Sequence, residues 1–321
     1  MAGNESVSVV INVYNEEENI EDCLSSLEKQ SLSGFELVVV DDGSTDDTMK
    51  IVEEFRDNFE MKTFRTEHVG IKKARRKGVE ESSGDVVVIV DADEILEPDF
   101  LENLVEPFDD DEVGAVGGRL RSEGEGWVTD AYGALNEAFY VLRAEGGEAD
   151  WIQGGCSAYR REALEEVGGL AREKVSADKD VSWKLRDEGW KVVLEDEAVA
   201  YHRDPQTLGS VMKREFGIGV REYSLISKHK NRFGWKELSR FFPLSVFLFL
   251  GLSLLHVYFL GFILLGTVGS FGMVAYLLIR HTERRNVVQA WVVLNLINLA
   301  WSLGFLKGLL GLKLIHRSRL A

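Results

Sequence analysis

The sequence predicts an α/β fold built on a doubly wound, mostly parallel sheet, with apolar helices towards the C-terminus. Short Val- and Ile-rich runs alternate with helical periodicity through the first 100 residues. Three of these runs end in polar clusters, where open α/β sheets bind their ligands. Residues 241–279 are nearly free of charge.

Taken in order, residues 6–13 and 35–40 are aliphatic runs bounded by polar turns, with Ile20, Leu24 and Leu27 at helical spacing between them. A strand, helix and strand joined this way require parallel strands and a crossover. Residues 46–55 continue as a helix, 61–65 as a strand and 71–79 as a helix with a basic face. Residues 86–90, five consecutive aliphatics, form a fully buried central strand. Beyond it the pattern predicts a helix at 98–108, a strand at 113–120, a helix at 128–142 and a turn at Gly154-Gly155. Helices at 161–167 and 178–188, a strand at 191–194 and a helix at 206–227 complete the first domain, 1–227.

Charge divides the chain. Residues 228–321 hold 12 of the 37 Lys and Arg but only two of the 54 acids, so the first 227 residues carry −27 and the remainder +10. So acidic a domain repels phosphate polymers, which argues against nucleic acid as a partner. Adaptation to high salt explains the excess, since screening makes self-repulsion tolerable; an acidic protein at ordinary salt is the other reading. Cys23 and Cys156 provide neither a disulfide framework nor a zinc site and read as small apolar packing residues.

The N-terminal stretch has no basic segment ahead of its apolar run and does not read as a signal peptide. Residues 241–279 suit two membrane spans joined near 256–261, and 287–305 suit a third that re-enters or lies on the surface, giving a transmembrane region of 241–312. Basic residues crowd the approach at 228–240, the break at 280–285 and the tail at 313–321. The positive-inside rule then places a multi-pass protein in the cell membrane with its large domain in the cytoplasm.

The three polar clusters are Tyr14-Asn15-Glu16, Asp41 to Asp46, and Asp91-Ala92-Asp93-Glu94. The first two also suit loop and helix-cap chemistry. Asp91-Ala92-Asp93 is different, because two carboxylates leaving a buried strand repel each other unless a cation lies between them. Hard oxygen donors of this kind suit Mg2+ or Mn2+, which would bridge to substrate phosphates.

These motifs resemble family 2 glycosyltransferases with the GT-A nucleotide-diphospho-sugar transferase fold. The likeness runs in order through residues 6–220: VVINVYNEEENI, VVVDDGSTDDT and GDVVVIVDADEILEPDFL match the donor half, and GGCSAYRREALEEVGGL and SADKDVSWKLRDEGWKVV match the acceptor half. The resemblance implies that Asn12, Tyr14 and Glu16 frame a nucleotide, that Asp42 reads its base, and that Asp91 and Asp93 hold ribose and metal. Lys72 or Arg75 neutralises phosphate, and His202 is a third candidate metal ligand. It also implies that Asp178, with Asp180 beside it, is the catalytic base. Two positions depart from the family: Ala177 stands where the base motif has its first acid, and Val13 where a proline precedes Tyr-Asn-Glu.

The implied reaction is inverting transfer from a nucleotide-sugar donor. A phosphate acceptor is already an anion, whereas a hydroxyl needs a base, so an intact base motif favours extension of a lipid-linked, dolichol-type saccharide in glycan assembly for protein glycosylation. A polyprenyl-phosphate glycosyltransferase is the alternative, and an inactive membrane scaffold of the same fold is the non-enzymatic one. A processive synthase would carry Gln-X-X-Arg-Trp where this chain reads Lys213-Arg214-Glu215-Phe216-Gly217. A dinucleotide-binding oxidoreductase would carry G-x-G-x-x-G after the first strand, and none is present.

Overall fold

The structure, a computed structural model, describes residues 5–144, 147–170, 177–229, 232, 240–241, 258–281 and 286–318. It forms two compact units: Met1–Arg121 with Leu142–Glu173 and Ala177–Arg203, and Ser122–Val141 with Lys174–Ser176 and Asp204–Ala321. The division cuts across the domain expected at 1–227.

In the first unit, strands β1 (Val7–Val13), β2 (Glu36–Asp41), β3 (Glu60–Arg65) and β4 (Val86–Asp91) run parallel, with β1 between β2 and β4. Alternation along each strand sorts its side chains between the two faces. Val9, Ile11, Val86, Val88 and Val90 pack with Ile20 and Leu24 of α1 (Ile20–Glu28), Val52 of α2 (Thr48–Glu54) and Phe100 and Leu104 of α4 (Phe100–Val105). Val10, Val38, Val87 and Ile89 pack on the other face with Ala74 of α3 (Ile71–Glu81), Leu164 of α6 (Arg161–Glu166) and Val181 and Leu185 of α7 (Ala177–Asp187). Burial on both faces is why these strands are unbroken aliphatic runs.

Beyond β4 the sheet turns antiparallel. β5 (Glu94–Leu96), β6 (Val113–Glu123), β7 (Ser157–Arg160) and β8 (Lys191–Arg203) complete the order β3-β2-β1-β4-β7-β6-β8-β5. β7 pairs antiparallel with both β4 and β6, and β5 pairs antiparallel with β8. β5 and β7 are not foreseen by periodicity, since neither exceeds four residues. β8 runs 13 residues as one strand where separate strands at 191–194 and near Val199 are expected, because Glu195-Asp196-Glu197 interrupts its apolar pattern.

The second unit holds α5 (Trp127–Ala144) as far as Val141, α8 (Leu208–Lys228), α9 (Tyr258–His281) and α10 (Val287–Ser318). Val128, Tyr132 and Leu135, Val211, Val274 and Leu278, and Val293 and Ile297 bring these four helices into one apolar cluster. The backbones of α8 and α10 touch: a methyl built on Gly219 would lie 2.0 Å from the Trp301 carbonyl oxygen, and one on Gly304 2.0 Å from that of Phe216. Of the expected spans, the first falls largely on residues 242–257, outside the described residues. The second contributes the shorter apolar stretch Ile263–Ile279, and the third contains Val287–Leu310, with mean hydropathy 1.5. Among the described residues one helix, rather than two or three, therefore has the length and composition to cross a bilayer.

Glu36 ties the parallel strands together. It is buried, accepts from the Ser8 hydroxyl of β1 at 2.5 Å and the Ser83 N–H at 2.8 Å, and ion-pairs with Lys62 of β3. Burial alone would raise its carboxyl, but Lys62, Ser8 and Ser83 outweigh that and hold it at about 2. Because this lies below its ordinary value of 4.5, the stability it contributes is present above that pH and is lost as the pH falls towards 2. Glu36→Gln is expected to cost about 2 kcal/mol at pH 7 and to remove much of the stability change across that acid window. Urea titrations at pH 7 and pH 3 measure both.

Candidate functional site

The candidate site lies at the carboxyl ends of β1, β2 and β4, and the sheet register builds it. Asn12 of β1 is paired with Asp91 of β4. Arg75 of α3 joins them: its Nε donates to Asn12 Oδ1 at 3.0 Å and its guanidinium ion-pairs with Asp91. Lys72 lies about one turn earlier on α3 and is half-buried.

Two residues on, Asp93 Oδ2 lies 3.2 Å from His202 Nε2, because the β5–β8 pairing sets His202 opposite Glu94. The Glu94 side chain is fully buried. Its Oε2 accepts from the Asp91 N–H at 3.0 Å, while its Oε1 has no hydrogen-bond partner among the described residues. Burial first, and then the charge of Asp91, push the Glu94 carboxyl up to about 8. Glu16 is raised too: burial is the main cause, Asn19 opposes it from 2.8 Å, and the charges of Asp93 and Asp91 add to the rise.

A second cluster sits at the end of β2. Asp42 accepts from the Thr66 hydroxyl at 2.6 Å and the Val69 N–H at 2.7 Å through Oδ1, and from the Gly70 N–H at 2.8 Å through Oδ2. It straps down the loop that carries His68, whose ring centroid lies 4.2 Å from that of the exposed Tyr14. Asn15, in the left-handed region at φ 54°, ties the first turn to the second by accepting from the Thr45 N–H at 2.9 Å.

Asp178 lies in the first turn of α7. The backbone at Gly154-Gly155 runs close to it and to the carboxylates of Asp91 and Glu94. A methyl on Gly154 would lie 3.6 Å from Asp178 Cβ and 2.9 Å from Arg75 Nη1, and one on Gly155 would lie 2.6 Å from Asp91 Oδ2 and 2.3 Å from Glu94 Oε1. The diglycine thus lets two sets of acids share one strip of backbone. Asp180 does not join them: it is fully buried and ion-pairs with Lys184 at 3.0 Å, the i,i+4 spacing of α7. That ion pair ties the first turn of α7, which carries both Asp178 and Asp180, to the next turn.

The sequence places Glu94 in the third polar cluster without giving it a role of its own. Its sequence signal is an acid opening the apolar pair Ile95-Leu96, where alternation puts residues 94 and 96 on the buried face. Among the described residues no group of three or more His, Cys, Asp or Glu converges as a ready-made metal cage.

The sequence profile described as Glycosyl transferase family 2 matches residues 8–168, half of the chain. Among curated proteins, the poly-beta-1,6-N-acetyl-D-glucosamine synthase of Staphylococcus epidermidis is 27% identical over 217 residues, covering 65% of this chain and 53% of that protein. The chain therefore spans about half the length of this relative. Among solved structures, the mannosyltransferase PcManGT from Pyrobaculum calidifontis, in complex with GDP-Man and Mn2+, superposes with a TM-score of 0.71 at 21% identity, over 95% of this chain and 87% of that one. GalNAc-T7 with UDP, GalNAc and Mn2+ superposes with a TM-score of 0.52 at 19% identity, over 68% and 48%. At these identities the structural likeness is one of fold.

The diglycine geometry makes its own prediction. Gly155→Ala is expected to destabilise the protein by about 1–3 kcal/mol through overpacking. Part of that loss is expected to return when Glu94→Ala clears the space. Non-additive unfolding energies across the double-mutant cycle check the contact, and strict additivity refutes it.

Proposed function

Because the chain belongs to glycosyl transferase family 2, we propose that it moves a sugar from a nucleotide-sugar donor to a hydroxyl of a lipid-linked saccharide, inverting the anomeric centre. Its α/β fold is GT-A-like and it is a glycosyltransferase. The carrying observation is the shared strip of backbone: neighbouring glycines border Asp91 and Glu94 on one hand and Asp178 on the other. That arrangement supports a reading in which donor and base act at one place.

In this reading Asn12, Tyr14, Glu16 and Asp42 frame the nucleoside, Asp91 takes the ribose, and Lys72 and Arg75 meet the phosphates. Asp93 and His202 fit Mg2+ or Mn2+. Their donor atoms are 3.2 Å apart, close to the spacing of about 3 Å expected for neighbouring ligands around an octahedral ion bound at ~2.1 Å. Two protein donors are sufficient for a cation that keeps waters and draws its other ligands from a diphosphate. The neighbours solved with Mn2+ support this choice. When bound, the cation supplies charge neutralisation for the nucleoside diphosphate leaving group.

Asp178 takes the proton from the acceptor hydroxyl as that oxygen attacks the anomeric carbon; the bond to the diphosphate breaks and its electron pair leaves on phosphate oxygen. Arg75, already against Asp91 and near Gly154, adds positive charge on the donor side. The base requirement favours a hydroxyl over a phosphate acceptor. The Val287–Leu310 helix and the exposed Leu264, Leu265, Val268 and Ile279 of α9 support attachment to the cell membrane, and the basic flanks favour the cytoplasmic side. Likeness to a polysaccharide synthase favours repeated addition as a second reading; products longer than one added sugar distinguish it.

Asp178→Asn is expected to leave nucleotide-sugar affinity unchanged and to slow transfer by about 10²- to 10⁴-fold. Transfer at the parent rate would overturn the base role. Chelation by EDTA is expected to stop turnover and added Mn2+ to restore it, while Asp93→Ala stays inactive with Mn2+ present. Mass spectrometry of lipid-linked glycans from cells lacking the protein reads the acceptor: a truncated glycan is expected, and loss of only a lipid-phosphate monosaccharide contradicts it.

A further inference from the structure

One cluster beside Asp178 takes no part in donor binding or in the base. The guanidinium carbon of Arg143 lies 4.3 Å from the centroid of the Trp151 indole, and Lys179 Nζ lies 4.4 Å from it. All three side chains are half-buried, so these cations are not merely solvated surface charges. Their charges lie within about 9 Å of each other, less than one Debye length at moderate salt, in a unit that is otherwise strongly acidic.

The chain places this cluster at the base. Lys179 follows Asp178 in the first turn of α7, and Trp151 lies three residues before Gly154. Ser182 fastens the two segments: its hydroxyl accepts from the Ile152 N–H at 3.2 Å and donates to the Asp178 carbonyl at 2.7 Å. Arg143 arrives from the last turn of α5. Cation–π attraction to the indole opposes the repulsion between the two charges and holds both side chains in place. With the cations against it, Trp151 acts as their support, and the ligand they suit is an anion close to the acceptor hydroxyl.

We propose that Arg143 and Lys179, held by Trp151, bind a phosphate on the lipid end of the acceptor. This rests on the acceptor reading above and deepens it: the saccharide presents its hydroxyl to Asp178 while its lipid-attached phosphate is gripped on the same side. Arginine supplies a forked donor set and lysine a point charge, a pairing that suits a phosphate or diphosphate ester.

The test uses the full chain in detergent, with the donor site saturated by Mn2+ and whichever of UDP or GDP it binds, and measures affinity for farnesyl diphosphate and for farnesol. The parent protein is expected to prefer farnesyl diphosphate at least tenfold. The double variant Arg143→Gln/Lys179→Gln is expected to lose that preference while keeping its nucleotide affinity, and Arg143→Lys/Lys179→Arg to retain it. Trp151→Leu is expected to weaken the preference severalfold. A double variant that keeps the preference, or loses nucleotide affinity in parallel, overturns the proposal. Equal competition by phosphatidylglycerol vesicles assigns the phosphate to a lipid headgroup and overturns the acceptor role. A parent protein that binds the nucleotide without preferring farnesyl diphosphate sinks only this proposal, whereas one that binds neither UDP nor GDP sinks the donor reading beneath it.

Discussion

Parallel pairing of β1 with β4 sets Asn12 beside Asp91, and the short turn after β4 adds Asp93 and Glu94 within three residues. Glu16 arrives from the turn after β1 and feels the charge of both aspartates. This density of acid at the end of a buried strand is the constraint on which the rest of the site depends, because desolvated carboxylates cannot all remain charged without compensation. Arg75 offsets Asp91, His202 stands against Asp93, and Glu94, fully buried, is pushed up to about 8. In the proposed reading a cation and a diphosphate complete that balance, so donor binding is tied to the electrostatics of the fold itself.

The first turn of α7 depends on a different device. α7 must hold its first turn still if Asp178 is to face a substrate, and two contacts do so. Asp180 and Lys184 form an ion pair whose acid is fully buried, and Ser182 links the turn to the segment leading into the diglycine. Removing one partner of such a pair leaves an uncompensated buried charge. Asp180 thus helps to fix the helix that carries Asp178. Gly154 and Gly155 then permit the backbone approach that any side chain on Gly155 would block.

Much of this was legible in the residue order. The aliphatic runs of β1, β2 and β4 announce buried parallel strands, and their polar ends mark the site. Asp93 and His202 come together from positions more than a hundred residues apart. Less was legible where the signal is short or interrupted. β5 and β7 are too brief to show a period, the acids at 195–197 hide the length of β8, and Glu94 looks like one more loop acid until its strand pairing buries it. Helices α5 and α8 carry soluble-looking sequence, yet they pack into the apolar cluster of α9 and α10, and the close approach of α8 to α10 at Gly219 and Gly304 depends on which helices meet. Hydropathy alone does not separate a span from a core helix, because an apolar helix and a buried one share a composition.

The central claim is that the acids around Asp91-Ala92-Asp93 are a donor site whose charge is completed by a divalent cation and a nucleoside diphosphate. Anomalous diffraction at the manganese edge, from crystals grown with Mn2+ and UDP or GDP, tests it most directly. The account predicts one manganese peak within bonding distance of Asp93 Oδ2 and His202 Nε2, with diphosphate oxygens completing its shell. A nucleotide bound with no manganese at that pair, or manganese bound elsewhere while Asp93 and His202 keep their direct contact, would contradict it.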